Sequence, residues 1–148
     1  MSKPMVSVVM ITYGHENYIE EAINSVLRQE CDFELELIIA NDKSPDNTDD
    51  VVQRILRNHP KASSIRYILR EKNWGIVPNF IDALKQGRGR YIALCEADDY
   101  WTDRSKLNKQ VCFLEAHLDH SMICHNARII YEGVGKKPAL FNKTQADG

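Results

Sequence analysis

Apolar residues in the first hundred positions fall into short runs separated by polar turns. Residues 5–12 form a nearly continuous apolar run rich in β-branched side chains, which predicts a strand buried on both faces. Shorter runs at 35–40, 65–69 and 91–95 predict three further strands, and residues 122–131 predict one more. These segments are the candidate strands of the fold.

Between the runs, apolar residues recur with the spacing of an amphipathic helix. The first helix is predicted over residues 19–27, with Asn17 and Glu20 forming a capping box at its start. The same spacing predicts three more helices, at 51–56, 78–86 and 107–114. Alternation of strands and helices indicates an α/β fold, with a mainly parallel sheet flanked by helices.

The length of the chain indicates the number of domains, and its charge disfavours some classes of partner. Its 148 residues suit one domain, which we assign to residues 1–132, followed by a polar tail at 133–148. Nineteen basic residues against 21 acidic ones give no support to nucleic-acid binding or to attraction by an anionic membrane.

The lack of a recognisable targeting signal and the cysteine usage both predict a cytoplasmic protein. No apolar run approaches the roughly 20 residues that span a bilayer, and the N-terminus lacks the apolar core of a signal peptide. The four cysteines are irregularly spaced without a C-x-x-C pair, so we predict reduced thiols, with Cys95 filling the core. Cys112 and Cys124 lie near three late histidines, but the spacing matches no common zinc pattern.

The chemistry is expected where the predicted strands end. In open α/β sheets, ligands bind beyond the carboxyl ends of the strands. The second strand leads into residues 41–44 and the fourth into residues 96–99, and both segments contain carboxylates. An acidic ligand edge suits a phosphate-bearing ligand only with a divalent cation between them, and Mg²⁺ or Mn²⁺ prefers carboxylate oxygens. Neither a G-x-G-x-x-G after the first strand nor a P-loop occurs.

In this order the segments resemble the family 2 glycosyltransferases of the A-type fold. The matching segments, from the first strand to the last predicted helix, are V-S-V-V-M-I-T-Y (6–13), A-I-N-S-V-L-R-Q (22–29), I-I-A-N-D-K-S-P-D-N-T (38–48), N-W-G (73–75), Y-I-A-L-C-E-A-D-D-Y-W (91–101) and K-L-N-K-Q (106–110). The resemblance implies a nucleotide-diphospho-sugar transferase-like fold that is C-terminally incomplete. Four departures are Ile11 for Pro, Gly14 for Asn, Asn41 for Asp and Glu96 for Asp.

The resemblance implies that the nucleoside is held by residues after the first two strands. Thr12, Tyr13 and Asp42 carry this role, with Tyr13 packing on the base and Asp42 accepting a hydrogen bond from it. Asp42 as a turn or cap residue, and Tyr13 as a plain strand-end aromatic, are the structural alternatives. Glu16 is a further nucleotide contact, or else interacts with a helix dipole.

The resemblance also implies a metal and diphosphate site. Asp98 is the expected ligand of Mn²⁺ or Mg²⁺, with Glu96 toward the ribose or the metal's waters and Asp99 toward the metal or donor sugar. A solvated acidic loop is the alternative, although three carboxylates in four residues repel one another without a cation.

The segment after the third strand contributes further expected ligand contacts. The resemblance carries donor binding onto Lys72, Asn73, Gly75 and Asn79. Either Arg70 or Lys72 could reach the diphosphate, with surface charge as the alternative. Trp74 is left open as a ring platform or a turn cover, and Gly75 supplies a positive φ.

The implied reaction is metal-dependent transfer of a sugar from a nucleotide-diphosphate donor, with a UDP-sugar favoured, to a hydroxyl of a saccharide or glycolipid, with inversion. The catalytic base is unassigned, because none of Asp103, Glu115, Asp119, Glu132 and Asp147 lies in the family's later acidic motif. Residues 133–148 are then the tail or the start of the absent acceptor region.

The alternative function is a catalytically incomplete nucleotide-sugar-binding module. A sugar-nucleotidyltransferase is disfavoured, since residues 13–17 are not a Gly-rich basic loop.

By analogy the family's setting is assembly of bacterial surface polysaccharides or glycolipids, which leaves open a peripheral position at the inner face of the membrane. An exposed sheet edge leaves open pairing of chains into a homo-oligomer.

Overall fold

A central strand, β1 at Val6–Thr12, organises the fold. In the computed structural model, residues 3–131, 133 and 135–142 are described. The remaining strands are β2 (Leu35–Asn41), β3 (Ile65–Leu69), β4 (Tyr91–Leu94), β5 (Arg128–Ile129) and β6 (Ala139–Leu140). The helices are α1 (Ile19–Leu27), α2 (Thr48–Asn58), α3 (Ile76–Lys85) and α4 (Lys106–Ala116), with a short 3-10 helix at Ala62–Ser64.

Four strands form one parallel sheet in the order β3-β2-β1-β4. The register pairs Thr12 with Asn41 and Asn41 with Leu69, so three strands end side by side. This confirms the predicted α/β fold with a mainly parallel sheet. β4 is the last strand at its side of the described sheet, and pairing of chains through that edge stays a prediction.

Helices cover both faces of the sheet, which explains the continuous apolar runs of the strands. On one face, β1 side chains such as Val8 and Met10 pack with Ile23 of α1 and Val52 of α2. On the other face, Val9, Ile38 and Ala40 pack against Ala83 of α3. Full burial of a valine, isoleucine or methionine side chain contributes about 1.5–3 kcal/mol to the free energy of folding. Cys95 lies in the first of these clusters, as predicted, and all four cysteines are free.

Two helices differ from the predictions at their N-terminal ends, α1 in its cap and α3 in its first residue. The capping box at Asn17 and Glu20 is wrong: Tyr18 is the N-cap and makes no side-chain cap bond. The carbonyl of His15 instead accepts hydrogen bonds from the amides of Tyr18 and Ile19, so the backbone itself turns into α1. Helix α3 begins at Ile76, two residues before the predicted start, because Pro78 is tolerated within a first helical turn.

The chain separates into a compact unit that ends at Val111 and a second unit that begins at Cys112. The predicted domain boundary after residue 132 stays a prediction. In the second unit the strand predicted over 122–131 is wrong in extent, because only Arg128–Ile129 is extended and pairs antiparallel with Ala139–Leu140. The tail predicted at 133–148 therefore contains a short strand, while residues 143–148, Glu132 and Val134 lie outside the described residues. No described helix is long and apolar enough to cross a membrane.

A buried carboxylate lies at the edge of the sheet where the strands begin. Glu36 of β2 accepts hydrogen bonds from the Ser7 hydroxyl at 2.6 Å and from the Arg88 guanidinium at 2.6 and 3.0 Å. Burial raises the pKa of Glu36, but the hydrogen bonds from Arg88 and Ser7 outweigh it and hold that pKa at about 2. The ionised carboxylate therefore stabilises the folded chain.

Replacing Glu36 by glutamine is expected to lower the unfolding free energy by about 2 kcal/mol at pH 7, since the amide keeps part of the hydrogen bonding but loses the charge. The folded-state pKa lies below the ordinary value of 4.5, so this stabilisation is present above pH 4.5 and disappears as pH falls towards 2. Urea unfolding at pH 7, 4 and 2.5 measures the difference between the two proteins, which should shrink on acidification. Glu21→Gln, at the exposed pair with Arg28, is the control. A difference that stays constant with pH contradicts the assignment.

Candidate functional site

The carboxyl ends of β1, β2 and β3 form one continuous edge. The amide of Asp42 donates to the carbonyl of Thr12 at 2.9 Å, and the amide of Arg70 donates to the carbonyl of Asn41 at 2.9 Å. These bonds continue the parallel ladder one residue past the strands. The first residues after each strand are therefore held in register, and the predicted site residues of three segments become neighbours.

The loop after β1 is fastened to the loop after β2 by three backbone donors. Gly14, with φ of 78°, donates to the Ser44 hydroxyl at 3.0 Å. The amide of His15 donates to the Thr48 hydroxyl at 2.9 Å, and that of Glu16 to Asp46 at 3.0 Å. This fixes the segment that contains Tyr13, a residue that is 49 % exposed and follows the buried Thr12.

Glu16 completes this connection in the opposite direction. Its carboxylate accepts hydrogen bonds from the backbone amide and the side-chain amide of Asn47, at 2.8 and 2.7 Å. Asn47 is the N-cap of α2, so the Glu16 carboxylate lies at the positive end of that helix. This placement favours a positioning role for Glu16, and its contact with a nucleotide stays a prediction.

Asp42 links the end of β2 to the N-W-G turn. Its two carboxylate oxygens accept the amides of Trp74 at 2.7 Å and Gly75 at 2.8 Å, and the residue is only 3 % exposed. The Asx-turn considered for Asp42 is not formed; Asn41 makes the local turn bond instead, because its side-chain oxygen accepts the amide of Ser44, three residues on, at 2.9 Å. Asp42 thus holds the turn that brings Trp74 to the ligand edge.

The residues after β3 divide into a buried group and an exposed group. Arg70 donates to Asn79 at 2.9 Å and to Asp82 at 2.7 Å, and its guanidinium lies 4.2 Å from the Trp74 ring centroid. Asn79 also donates to the carbonyl of Ala40 at 3.0 Å. Because two of the three guanidinium nitrogens of Arg70 and both amide atoms of Asn79 are engaged by protein, their placement favours positioning over ligand contact.

Lys72 and Asn73 lie on the exposed side of the same turn. In the described part of the chain no acidic side chain pairs with Lys72, which leaves its ammonium for an external anion. Asn73 accepts the amide of Gly75 at 2.9 Å, and Gly75 has φ of 87° at the start of α3. Of the two cations considered for the diphosphate, the geometry favours Lys72.

The acidic loop after β4 places its carboxylates outward. Cys95, Ala97 and Trp101 are buried, whereas the side chains between them, including Glu96 and Asp98, are exposed. Burial and the neighbouring charge of Asp98 raise the pKa of Asp99. The loop therefore presents carboxylates that repel one another, a charge pattern that a cation would relieve.

The far end of the acidic loop is anchored in the unit that holds the sheet. Trp101 is buried, with the Lys106 ammonium 4.0 Å from its ring centroid. The Gln29 side chain donates to the carbonyl of Asp103 at 2.8 Å and accepts the amide of Leu107 at 3.0 Å. No local pattern indicates this role for Gln29, because its partners lie more than seventy residues away.

The carboxylates of the acidic loop do not by themselves enclose a metal ion. Among the described residues, no group of three or more His, Cys, Asp or Glu side chains could enclose a metal ion, and this includes the late histidines and cysteines. A cation at Asp98 would therefore take most of its ligands from a bound diphosphate and water, as Mg²⁺ commonly does. The donor set fits a cation that arrives with its nucleotide.

The chain matches known proteins along most of its length. The sequence profile of glycosyl transferase family 2 matches residues 7–146. A Mycobacterium tuberculosis protein, Rv1520, is 43 % identical over 135 residues, which is 91 % of this chain and 38 % of that protein. The Bacillus subtilis putative teichuronic acid biosynthesis glycosyltransferase TuaG is 36 % identical over 76 % of this chain and 42 % of its own length.

Solved structures agree in fold. Staphylococcus aureus TarS 1-349 in complex with UDP superposes with a TM-score of 0.65 at 28 % identity, over 76 % of this chain and 32 % of that one. The Pyrobaculum calidifontis mannosyltransferase PcManGT, in complex with GDP-Man and Mn²⁺, gives 0.67 at 26 % identity over 77 % and 33 %. The chain thus spans about two fifths of these sequence relatives and a third of these solved chains.

Proposed function

The chain belongs to glycosyl transferase family 2, and on that premise we propose that its ligand edge binds a nucleotide-diphosphate sugar together with a divalent cation. The observation that carries the proposal is the placement of three exposed groups around one sheet edge: Tyr13, Lys72 and the acidic loop at Asp98. They offer, respectively, an aromatic surface, a positive charge and a carboxylate, the three chemistries that a base, a diphosphate and a metal require.

The nucleoside is proposed to lie at the ends of β1 and β2. Tyr13 offers its half-exposed ring to the base, and its loop is fixed by the bonds to Ser44, Thr48 and Asp46. A carboxylate oxygen accepts more than one hydrogen bond, so Asp42 keeps acceptor capacity for a base N–H while holding the Trp74 turn. Thr12 and Glu16 are proposed to support this end of the site.

The diphosphate is proposed to lie between Lys72 and the acidic loop. TarS was solved with UDP, and PcManGT with GDP-Man and Mn²⁺, which supports binding of a nucleotide and a divalent cation by a chain of this fold. A bound cation would offset the charge that develops on the departing diphosphate. Asp98 is its proposed ligand, Glu96 orients its waters or the ribose, and Asp99 faces the donor sugar.

Transfer to an acceptor hydroxyl, with inversion, is the reaction we propose for the enzyme of which this edge is a part. The relatives that the chain matches include a putative teichuronic acid biosynthesis glycosyltransferase and a chondroitin synthase, which supports a saccharide or glycolipid acceptor. No described residue is assigned as the base: Asp103, the first acidic residue after the loop, is held by Ser105 and Lys109. A nucleotide-sugar-binding module without turnover is the second candidate.

Calorimetric titration with UDP tests the binding proposal. With Mn²⁺ we expect a dissociation constant between about 1 µM and 1 mM, the range of typical substrate constants, and at least about tenfold weaker binding in EDTA. ADP serves as the matched control for the base. Failure to bind UDP, GDP or TDP with any divalent cation would contradict the proposal.

Hydrolysis of UDP-sugars separates the two candidate functions. Slow metal-dependent release of UDP from a UDP-sugar, without added acceptor, favours a transferase site that uses water as a poor acceptor. Binding without any release favours the module.

A further inference from the structure

A relay of hydrogen bonds joins five residues, Asp49, Tyr67, Asn41, Ser44 and Gly14, from the first turn of α2 to the loop after β1. Tyr67 in β3 lies between two polar side chains of other segments. Its phenol accepts the side-chain amide of Asn41, at 2.9 Å, and donates to Asp49 of α2, at 2.8 Å. Asn41 is fully buried at the end of β2, so its side-chain amide must find its hydrogen-bond partners within the protein.

The other end of Asn41 reaches the loop of Tyr13. Its side-chain oxygen accepts both the amide and the hydroxyl of Ser44, at 2.9 and 2.8 Å. The Ser44 oxygen in turn accepts the amide of Gly14, at 3.0 Å. Five residues thus connect the first turn of α2 to the loop after β1.

The direction of every bond in this relay is fixed by chemistry. The Ser44 amide can only donate, so the oxygen of Asn41 must face it and the nitrogen must face Tyr67. The Asn41 nitrogen then donates to the phenol oxygen, and the single phenolic proton goes to Asp49. Burial and the nearby charge of Asp49 raise the pKa of Tyr67, so the phenol keeps this proton at neutral pH.

We propose that this relay positions the nucleoside-binding loop, and that the residue types at positions 41 and 49 are matched through Tyr67. Its link to the nucleoside rests on the function proposed above. An aspartate at position 41 would leave one phenolic proton between two carboxylates, one of them fully buried. The bond between position 41 and Tyr67 would then be lost, and the repelled carboxylate would shift together with Ser44, which donates to it, and with Gly14, which donates to Ser44.

Exchanging the two residue types tests the match. We expect Asn41→Asp to move the amide ¹H–¹⁵N resonances of Ser44 and Gly14 in the nucleotide-free protein and to weaken UDP binding about tenfold. Asp49→Asn in the same chain reverses the relay, because the new side-chain amide at position 49 can donate to the phenol, and the phenol can donate to the new carboxylate at position 41. In the double variant the two resonances should return to their original positions, and the affinity for UDP should lie within about threefold of that of the unsubstituted chain. Such coupling is typical of residues in one network.

Two further variants complete the test. Asp50→Asn, at the exposed neighbour in the same helical turn, is the control for Asp49→Asn and should change neither readout. If Asn41→Asp does not fold, Tyr67→Phe removes only the phenol oxygen and should move the same two resonances.

The outcomes separate the relay from the proposed function. If the unsubstituted chain does not bind UDP, the proposed function is contradicted. The amide resonances test the relay independently, because they are measured in the nucleotide-free protein. The relay is overturned if Asn41→Asp, or Tyr67→Phe in its place, leaves Gly14 and Ser44 unmoved. It is also overturned if the effects of Asn41→Asp and Asp49→Asn simply add.

Discussion

Replacing Asp98 by alanine is expected to weaken Mn²⁺-dependent UDP binding at least about 100-fold, which corresponds to about 2.7 kcal/mol. Asp98 is exposed on the ligand edge, and the described residues offer no enclosing set of metal ligands to take its place. A cation that relies on few protein ligands should lose most of its affinity when one of them is removed. Calorimetry with UDP at fixed Mn²⁺ measures the loss.

Two comparisons make this result specific. Asp50→Ala removes an equally exposed carboxylate from α2 and should leave UDP binding unchanged. The EDTA titration gives the second comparison, since binding that no longer needs Mn²⁺ should be insensitive to Asp98. If Asp98→Ala weakens binding equally with Mn²⁺ and with EDTA, Asp98 contacts the donor and is not the metal ligand.

Replacing Gly89 by alanine is expected to lower the unfolding free energy by more than about 3 kcal/mol. A Cβ added at Gly89 would lie 2.5 Å from the amide nitrogen of Ser7 and 2.8 Å from the carbonyl carbon of Val6. These are backbone atoms of β1, which pairs with β2 on one side and β4 on the other, so they cannot move without disturbing both ladders. The Gly89 amide also donates to the Ser7 hydroxyl at 2.8 Å, which holds the two segments together.

Gly87 supplies the matched control two residues away. A Cβ there would meet the end of the Ile92 side chain at 2.7 Å, and a side-chain end can rotate away. We expect Gly87→Ala to cost about 1 kcal/mol. Urea unfolding of both variants at pH 7 measures the contrast. Equal losses for the two alanine variants would contradict the backbone contact assigned to Gly89.

The strands and the order of the site segments could be predicted from sequence, because both depend on local signals. Residues 5–12 and 35–40 are apolar on both faces, which reflects burial by helices on each side of the sheet. The capping box predicted for α1 and the long strand at 122–131 were wrong. The first depends on the carbonyl of His15 as acceptor, and the second on which residues find a partner strand, and neither is visible in residue types.

The roles of individual polar residues were harder to predict than their location. Arg70 and Lys72 are both cations after β3, yet Arg70 is enclosed by Asn79, Asp82 and Trp74 while Lys72 faces outward. The relay through Tyr67 was missed because Tyr67 lies 18 residues from Asp49 and 26 residues from Asn41 in the chain. Only the presence of asparagine at position 41, where the family has aspartate, indicated that this position differs.

The sheet order has a consequence for the chain during its synthesis. β1 needs both β2 and β4 as neighbours, and its partner Tyr91 follows Val6 by roughly 85 residues. At about 5–20 residues per second, a ribosome adds this stretch in between about 4 and 17 s. Until β4 emerges, at least one side of the buried strand β1 is unpaired, so the nascent chain depends on whatever shields that strand.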